Sequence, residues 1–234
     1  ASMFVNDSTQ NHKQEAYNDI PKPPPRNRTR NSLHPQMVKA LVSQAIPPDK
    51  SITPNKHSQR DISNVKYPYG VLAFDGLFNH LLKETKDIIG SGLVKITGTS
   101  SDPEHDMGIR NIINYAGDSC WTSKNDENMY IEFDFGTNKI CVTHYTLQTY
   151  PCGPGYSHLK NWVLEGSNKS EPDKWTIIDK REENNDLNGQ SKYATFQVAV
   201  HDDFNILRLR ATGPNHFGDN YLILCNVEFY GDYT

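Results

Sequence analysis

The sequence lacks the short motifs that mark common enzyme classes. It contains no phosphate-binding GxxxxGK[ST], no HExxH zinc motif and no GxSxG nucleophile turn. Neighbouring carboxylates such as Glu182 and Glu183 occur, but without a positioned partner they indicate no acid–base pair. Gly90-Ser91-Gly92 precedes a strand-like run instead of joining a strand to a helix, so it does not predict a dinucleotide-binding loop. We therefore predict that the chain is not an enzyme.

Cysteine is scarce, and its spacing matches no metal-binding pattern. The four cysteines are Cys120, Cys141, Cys152 and Cys225. They form neither a CxxC pair nor a Cys/His finger, which argues against a zinc site of the usual kind. Cys141 and Cys225 lie in strand-like runs, where a buried free thiol behaves as a small hydrophobic side chain. We expect the thiols to be reduced.

The sequence also lacks the segments that direct a chain to a membrane or through it. It has no signal-peptide h-region and no apolar run long enough to cross a bilayer. The glycosylation sequons at Asn6, Asn27 and Asn168 are short enough to arise by chance. We therefore predict a cytoplasmic protein without membrane insertion.

Charge and proline are distributed unevenly along the chain. Residues 1–70 hold nine of the 14 prolines and ten Lys/Arg against five Asp/Glu, whereas residues 71–234 hold 14 Lys/Arg against 23 Asp/Glu. The formal net charge of -4 is therefore +5 on the first part and -9 on the second. Such asymmetry is typical of a basic tail on a folded domain. We predict an N-terminal arm over residues 1–70 and one domain over residues 71–234.

The predicted arm combines an extended segment with a short helix. In DIPKPPPRNRTRNS, the consecutive prolines favour extended polyproline geometry. Apolar residues then recur at helical spacing, namely Met37, Val38, Leu41, Val42 and Ala45. They predict an amphipathic helix near residues 35–46 that needs a surface to cover its apolar stripe; a loosely helical linker is an equal alternative. The arm residues expected to bind a partner protein are Arg26, Arg28, Arg30, Met37 and Leu41.

From about Phe74 the pattern becomes that of a β-rich domain. FDGLFNHLLKETKD predicts one helix, and NMYIEFDFG alternates with Ile131, Phe133 and Phe135 on one side. Further short apolar runs follow, separated by turns such as PCGPGYS and NNDLNGQ. Many short strands with such turns predict a mainly β protein with an antiparallel β-sandwich or jelly roll.

Four segments, in this order, resemble the discoidin, or coagulation factor V/VIII type C, family. They are DSCWTS, YIEFDFGTNKICVTHYTLQTY, HLKNWVLEGSNKSEPDKWTIIDKRE and FNILRLRATGPNHFGDNYLILCNVEFYG. The resemblance covers roughly residues 88 to 231 and is greatest to an intracellular subgroup sometimes found beside BTB domains. It implies a galactose-binding-like sandwich.

The resemblance also implies a calcium ion, which related sandwiches often hold near the last strand. Glu228 stands at a position similar to the calcium-binding carboxylate, and Asp118 lies in the loop that would face it. The usual Asp-Gly-Asp of that loop is replaced by NYAGDSCW, so the pair is only a tentative structural calcium site. No other cofactor is expected.

A ligand or partner site is expected where loops cluster at one end of the sandwich, because the sheets hold them in place. The candidate loops are DSCWTSKNDEN, TYPCGPGYSH, REENNDLNG and TGPNHFGDN. Their candidate binding residues are Trp121, Asn125, Tyr150, Tyr156, His158, Asn184, Asn185, Arg210, Asn215 and His216. For the His and Asp residues of the last loop, a structural role outweighs metal binding, which needs several converging ligands.

Two further features leave alternatives open. Trp162 and Trp175 alternate with apolar neighbours, which favours the core over a ligand platform. Arg208 and Arg210 lie on the same face of one strand, where they either reach the ligand-binding end or pair with a strand carboxylate such as Glu165.

The preferred hypothesis is a non-enzymatic intracellular scaffold or protein-interaction module. The sandwich would dock in a larger assembly, such as the cytoskeleton or a flagellum, and the arm would clamp a neighbouring surface. The alternative is a lectin-like carbohydrate-binding module that uses the loops at one end. Nucleic-acid binding is a weaker option, since PPPRNRTR has three arginines and no aromatic residues for stacking.

Overall fold

The computed structural model describes residues 65–70, 72–99, 101, 108–116 and 119–234. These residues form short strands, one α-helix and one 3-10 helix. In chain order the elements are β1 (Val65–Tyr67), α1 (Leu77–Thr85), β2 (Lys95–Gly98), the 3-10 helix (Ile109–Ile113), β3 (Trp121–Thr122), β4 (Tyr130–Asp134), β5 (Ile140–Gln148), β6 (Trp162–Asn168), β7 (Glu171–Arg181), β8 (Tyr193–Gln197), β9 (Asp203–Phe204), β10 (Ile206–Ala211), β11 (Ile223–Leu224) and β12 (Asn226–Tyr233).

The strands form two main antiparallel sheets. One has the order β1-β12-β5-β8, with β9 also paired to β5, and the other has the order β2-β4-β10-β6-β7. A two-stranded ribbon of β3 and β11 accompanies them. The predicted mainly β antiparallel sandwich is therefore confirmed. Because β10 lies between β4 and β6, residues far apart in sequence become neighbours on one face.

The alternation of apolar and polar residues along the strands determines which side chains are buried in the core. In β4, Ile131 and Phe133 are fully buried, whereas Tyr130 and Glu132 lie on the outer face. Phe133 meets Phe229 of the opposite sheet edge-on, with ring centroids 5.1 Å apart. Each such buried aromatic contributes roughly 1.5–3 kcal/mol by leaving water. The core is therefore made by the inward faces of both sheets, as alternation predicts.

Helix α1 forms where FDGLFNHLLKETKD predicts it. Leu77, Phe78 and Leu81 are completely buried along one face. The helix ends at Lys86, whose left-handed φ of 67° lets its N–H bond to the Leu82 carbonyl. Within the ranges given above, no helix combines the length and apolarity needed to cross a bilayer.

Strand β1 shows that the sandwich includes residues assigned from sequence to the arm. Val65 pairs with Tyr233 and Tyr67 with Gly231. The rest of the predicted arm, with its helix near 35–46, lies outside the described residues. So do the arm residues proposed to bind a partner, which are Arg26, Arg28, Arg30, Met37 and Leu41.

Strand β7 forms one edge of the second sheet. It spans 11 residues and, among the residues that the structure describes, pairs only with β6. The pairing is irregular, with register shifts between Leu164 and Glu165 and between Gly166 and Asn168. Ile177 of this strand remains 51 % exposed.

Cys120 and Cys225 form a disulfide, so the expectation of reduced thiols is wrong for this pair. Trp121 of β3 pairs with Leu224 of β11, and this brings the adjacent cysteines together. The pairing joins residues 105 positions apart, which the local pattern around Cys225 does not reveal. Cys141 and Cys152 are free.

The disulfide is expected to stabilise the sandwich. Replacing both Cys120 and Cys225 by Ser removes a cross-link that closes a long loop, and should lower the free energy of unfolding by about 3–5 kcal/mol. Denaturant unfolding of the oxidised protein measures the change. Cys152→Ser, which touches a free thiol, is the control and should change stability far less; equal losses in the two variants would contradict the prediction.

Candidate functional site

The predicted gathering of loops occurs at one end of the sandwich. We call this region the loop cluster; it comprises residues 123–129, 149–161, 182–192 and 212–222. Backbone bonds join its members, since His216 N donates to His158 O at 3.0 Å and Asn184 N donates to Lys160 O at 3.0 Å. Asn220 N reaches the Asn125 side-chain oxygen at 2.9 Å. The four loops therefore form one continuous surface.

Asp219 organises the loop of residues 212–222. Its carboxylate accepts hydrogen bonds from Ser157 Oγ at 2.9 Å and from Tyr221 N at 3.1 Å. The Asn215 side-chain amide also donates to it and, at 3.1 Å, to the Tyr221 carbonyl. Asn215 is only 4 % exposed, so its proposed role in ligand binding is replaced by a role in holding the loop.

Asn161 ties three parts of the loop cluster together. Its side-chain amide donates to the Pro214 carbonyl at 2.8 Å, and its side-chain oxygen accepts from Glu183 N at 2.9 Å. Its own carbonyl accepts from Thr212 N at 3.0 Å. Asn161 is not among the residues predicted from the sequence, because an asparagine before a strand carries no signal of such distant partners.

His158 is a structural residue of the loop cluster and does not face a ligand. It is completely buried, and its Nε2 lies 2.8 Å from the Gly153 carbonyl and 3.1 Å from the Cys152 carbonyl. Two carbonyl acceptors require the proton on Nε2. Burial lowers the pKa of His158, although the two carbonyls oppose this. The neutral ring therefore holds the turn at residues 152–153, and its Nδ1 has no hydrogen-bond partner.

The remaining loop residues divide between anchored and exposed side chains. His216 is half-buried with Nε2 3.0 Å from the Asn184 carbonyl. Tyr150 packs against the His158 ring, and burial raises the pKa of Tyr150 to about 12. The exposed candidates are Asn125, Tyr156 and Asn185.

Two aromatic side chains project from this surface. Tyr156 is 44 % exposed and Phe217 is 56 % exposed. Phe217 was not among the predicted site residues, although a lone Phe between His216 and Gly218 in a polar loop is a visible signal. Gly218, with φ of 94°, adopts the left-handed conformation that glycine permits.

Trp121 lies in the core, so its predicted place on a ligand-binding loop is wrong. It belongs to β3 and is completely buried, with Nε1 donating to Ser101 Oγ at 2.9 Å. Trp162 is buried as expected, whereas Trp175 is half-buried against Arg208, whose guanidinium carbon lies 3.7 Å from the ring centroid.

Arg208 and Arg210 pair with Glu165, which is one of the two alternatives drawn from the sequence. Arg208 Nε lies 2.6 Å and Arg210 Nε 2.9 Å from Glu165 Oε1. Burial opposes ionisation of Glu165, but bonds from both arginines hold its pKa below the ordinary value. Arg210 also reaches Asn128 at 3.3 Å, at the margin of the loop cluster. Its main role is therefore to neutralise a buried carboxylate.

Glu228 caps helix α1. Its completely buried carboxylate accepts hydrogen bonds from Phe78 N at 2.8 Å, Asn79 N at 3.1 Å and the Tyr115 hydroxyl at 3.0 Å. A Cβ at Gly76 would lie 2.3 Å from the Phe229 carbonyl oxygen, so glycine permits this close approach. The helix N-terminus favours the negative charge.

This arrangement does not fit the tentative calcium site. Calcium requires oxygen ligands around the ion, whereas both Glu228 oxygens are directed at N–H and O–H donors. Asp118 lies outside the described residues. Among the residues that the structure describes, no group of three or more His, Cys, Asp or Glu side chains could hold a metal ion.

A stability difference should reveal the ionisation of Glu228. Burial raises its pKa to about 7 from an ordinary value of 4.5, although the N–H donors oppose the shift. The protonated form thus stabilises the fold below pH 4.5, and this contribution is lost as pH rises to about 7. The unfolding free energy of the wild type, minus that of Glu228→Gln, should fall over this window by on the order of 3 kcal/mol.

Urea unfolding at a series of pH values measures this difference. Glu127→Gln, at an exposed position in the loop cluster, is the matched control for the loss of one carboxylate. A Glu228→Gln difference that stays constant between pH 4.5 and 7.5 would show that Glu228 does not titrate in this range.

Substitution of the buried Trp121 should destabilise the fold more than substitution of the half-buried Trp175. Trp121→Ala leaves a large cavity and an unpaired Ser101, and should lower the free energy of unfolding by about 3–5 kcal/mol. Trp175→Ala should cost about 1 kcal/mol, because it mainly removes the contact with Arg208. Chemical denaturation of both variants tests this ranking, which would be refuted by equal losses.

Comparison with known proteins identifies the sandwich. A model of the Sad1/UNC-like C-terminal family matches residues 100–233. That domain has a galactose-binding-like β-sandwich fold, so the resemblance to the discoidin family is confirmed at the level of the fold. No curated protein sequence matches this chain.

Several solved structures share part of the architecture. The module CpGH89CBM32-5 from Clostridium perfringens, solved with GalNAc-β-1,3-galactose, is 14% identical over 60% of this chain and 96% of its own, with a TM-score of 0.48. The C-terminal domain of a chitobiase from Bacteroides fragilis is 16% identical over 61% and 95%, with a TM-score of 0.47. These similarities do not bear on what this chain binds.

Proposed function

The chain belongs to the Sad1/UNC-like C-terminal family, and from this we propose that its sandwich is a non-enzymatic protein-interaction module. We assign the loop cluster as the surface that binds the partner. The partner is a protein in a larger assembly, for which the module acts as a scaffold.

The exposed pair of aromatic side chains in the loop cluster supports this proposal most directly. Tyr156 and Phe217 are 44 % and 56 % exposed, on loops that are otherwise held by internal hydrogen bonds. Aromatic side chains dominate the binding energy of many protein interfaces, especially when they project from a rigid base. Their position predicts that they enter the partner's surface.

The polar side chains of the sandwich are already hydrogen-bonded within the protein, which favours a binding function over catalysis. A catalytic base needs a free, accessible position near a substrate. His158 is buried and bonded to two carbonyls, and Asp219 accepts bonds from Ser157 and Tyr221. Glu165 and Glu228 are each held by several donors. These groups maintain the fold.

Two finer parts of the hypothesis remain predictions. The arm over residues 1–70 is proposed to clamp a neighbouring surface, and deletion of residues 1–64, which keeps β1 in the sandwich, should weaken retention in the native assembly. The cytoplasmic location, with an association to the cytoskeleton or a flagellum, likewise rests on the sequence alone. The Cys120–Cys225 disulfide favours an oxidising compartment instead.

Substitution of the two aromatics should release the partner. We expect Tyr156→Ser and Phe217→Ser each to weaken binding by about 5- to 30-fold, equivalent to 1–2 kcal/mol, because each removes a buried interface contact. The measurement is quantitative co-purification of the tagged full chain from its native cells, followed by titration of the recovered protein.

Ile177→Ser provides the matched control. Ile177 is 51 % exposed, close to the value for Phe217, but it lies in the middle of β7 and outside the loop cluster. A partner that is retained by Ile177→Ser and lost by Phe217→Ser supports the assignment. Retention by all three variants would place the interface elsewhere.

Glycan binding is the alternative function, and the Tyr156 ring is the feature that favours it. This exposed ring follows Gly155, whose N–H donates to the Asn188 side-chain oxygen at 2.7 Å and so ties the two loops together. A sugar could stack on the ring and bond to the amide. Trp121 and Arg210 are less suited, since one is buried and the other is paired with Glu165. A glycan array signal that Tyr156→Ser abolishes and Phe217→Ser preserves would favour this alternative.

A further inference from the structure

We propose that His158 is a pH sensor of the loop cluster, such that protonation of its ring opens the cluster on acidification. Three observations support this inference. They are the position of His158 among the loops, the surroundings of its Nδ1 atom and the charges on the neighbouring segments. The opening itself does not depend on the proposed function, whereas its consequence for a bound partner rests on that function.

His158 connects three of the four loops. Its Nε2 lies 2.8 and 3.1 Å from the carbonyls of residues 153 and 152, and these bonds hold the turn. Its own carbonyl accepts a hydrogen bond from His216 N at 3.0 Å. His216 Nε2 in turn lies 3.0 Å from the Asn184 carbonyl. A change in the charge of the His158 ring therefore acts where these loops are joined.

The Nδ1 atom of His158 determines the effect of protonation. With the proton on Nε2, Nδ1 carries a lone pair, and no group among the described residues bonds to it. Protonation turns this lone pair into a second N–H donor and gives the ring a positive charge. The ring is completely buried, and an unpaired buried charge costs far more than an unpaired neutral acceptor. The closed cluster therefore accepts the neutral ring and disfavours the protonated one.

Two basic side chains on neighbouring loops add to this effect. Lys192 lies at the end of the loop of residues 182–192, and His216 lies in the loop of residues 212–222. Both are close enough to repel a positive charge on His158. Protonation thus places like charges on three loops that the hydrogen bonds hold together.

The other ionisable groups on the packed segments do not neutralise the ring. Tyr150 packs on His158 with ring centroids 4.7 Å apart, and burial raises the pKa of Tyr150 to about 12, so the phenol remains neutral. Burial also raises the pKa of the Cys152 thiol. The Asp219 carboxylate accepts its hydrogen bonds from Ser157 Oγ, Tyr221 N and the Asn215 amide.

The direction of the pH effect follows from these contacts. Burial lowers the pKa of His158 below the ordinary value of 6.5; the two carbonyls oppose the shift, and His216 and Lys192 add to it. In an open cluster the hydrated ring regains its ordinary pKa. The neutral ring therefore stabilises the closed cluster fully above pH 6.5, and this contribution is lost as pH falls below 6.5 towards the lower pKa of the closed state.

Opening would disturb the base that holds the exposed aromatic pair. The Tyr156 carbonyl accepts a hydrogen bond from His158 N, and Phe217 directly follows His216, whose N–H donates to His158 O. Both rings are thus attached to segments that bond to His158. If the loop cluster binds the partner, acidification should release it.

Hydrogen exchange of the full chain, corrected for the intrinsic effect of pH on exchange, tests the opening. We expect protection of residues 149–161 and 212–222 to fall by about 3- to 10-fold between about pH 7.5 and about pH 5.5, the range available to one histidine. His158→Gln, which does not titrate, should give equal protection at both pH values. His201→Gln removes an exposed histidine outside the loop cluster and should keep the wild-type response. Unchanged protection in the wild type, or loss of the response in His201→Gln, overturns the proposal.

NMR of the wild-type chain labelled with ¹⁵N-histidine provides a second measurement that needs no variant. We expect a neutral ring with the proton on Nε2 at about pH 7.5, and protonation only below the ordinary range of histidine, together with the loss of protection. A His158 ring that is protonated at neutral pH, or that titrates without any change in protection, overturns the proposal.

The affinity for the co-purified partner, measured at the same two pH values, tests the consequence for binding. Weaker binding at the lower pH by the wild type, but not by His158→Gln, supports it. Loss of protection with unchanged affinity overturns the consequence and argues against the loop cluster as the partner surface. Unchanged protection overturns the pH sensor itself, so the two failures are distinguishable.

Discussion

The position of β12 between β1 and β5 is the constraint on which most of the structure depends. The strand pairs with β5 from Asn226 to Tyr233 and with β1 over its last three residues, Gly231 to Tyr233. Its inward residues, Val227 and Phe229, contribute to the core, while Glu228 and Tyr230 face the segment that leads into helix α1. At its start, Cys225 joins it to the β3–β11 ribbon. A shift of one residue in this register would exchange the core face and the helix-capping face.

Local pattern was sufficient to predict α1 and the longer strands, although not β1. Alternation around Phe133 and helical spacing around Leu81 are short-range features, and both sets of residues are buried as expected. The disulfide and the Glu228 cap were not predicted, because each joins segments more than 100 residues apart. Such contacts follow from topology, which no short window contains.

The same distinction applies to the candidate site. The gathering of four loops follows from the fold and was predicted correctly. The roles of His158 and Asn215 were not predicted, because these side chains have the same chemical groups whether they bind a ligand or a nearby carbonyl. The residue type shows which hydrogen bonds a side chain can make. Only the structure shows that these bonds are already made within the protein. Phe217 was not predicted, because it has no polar group that would suggest a binding role, although its side chain is exposed.

The edge strand β7 has a consequence for solubility. A long strand with an open edge can template pairing between molecules and lead to aggregation. Here Pro172 lacks an N–H donor, Lys174 and Lys180 place charge along the edge, and the irregular pairing with β6 disturbs a flat ladder. These features oppose the addition of a further strand. The described part of the sandwich can therefore keep this 11-residue edge strand without adding strands from other molecules.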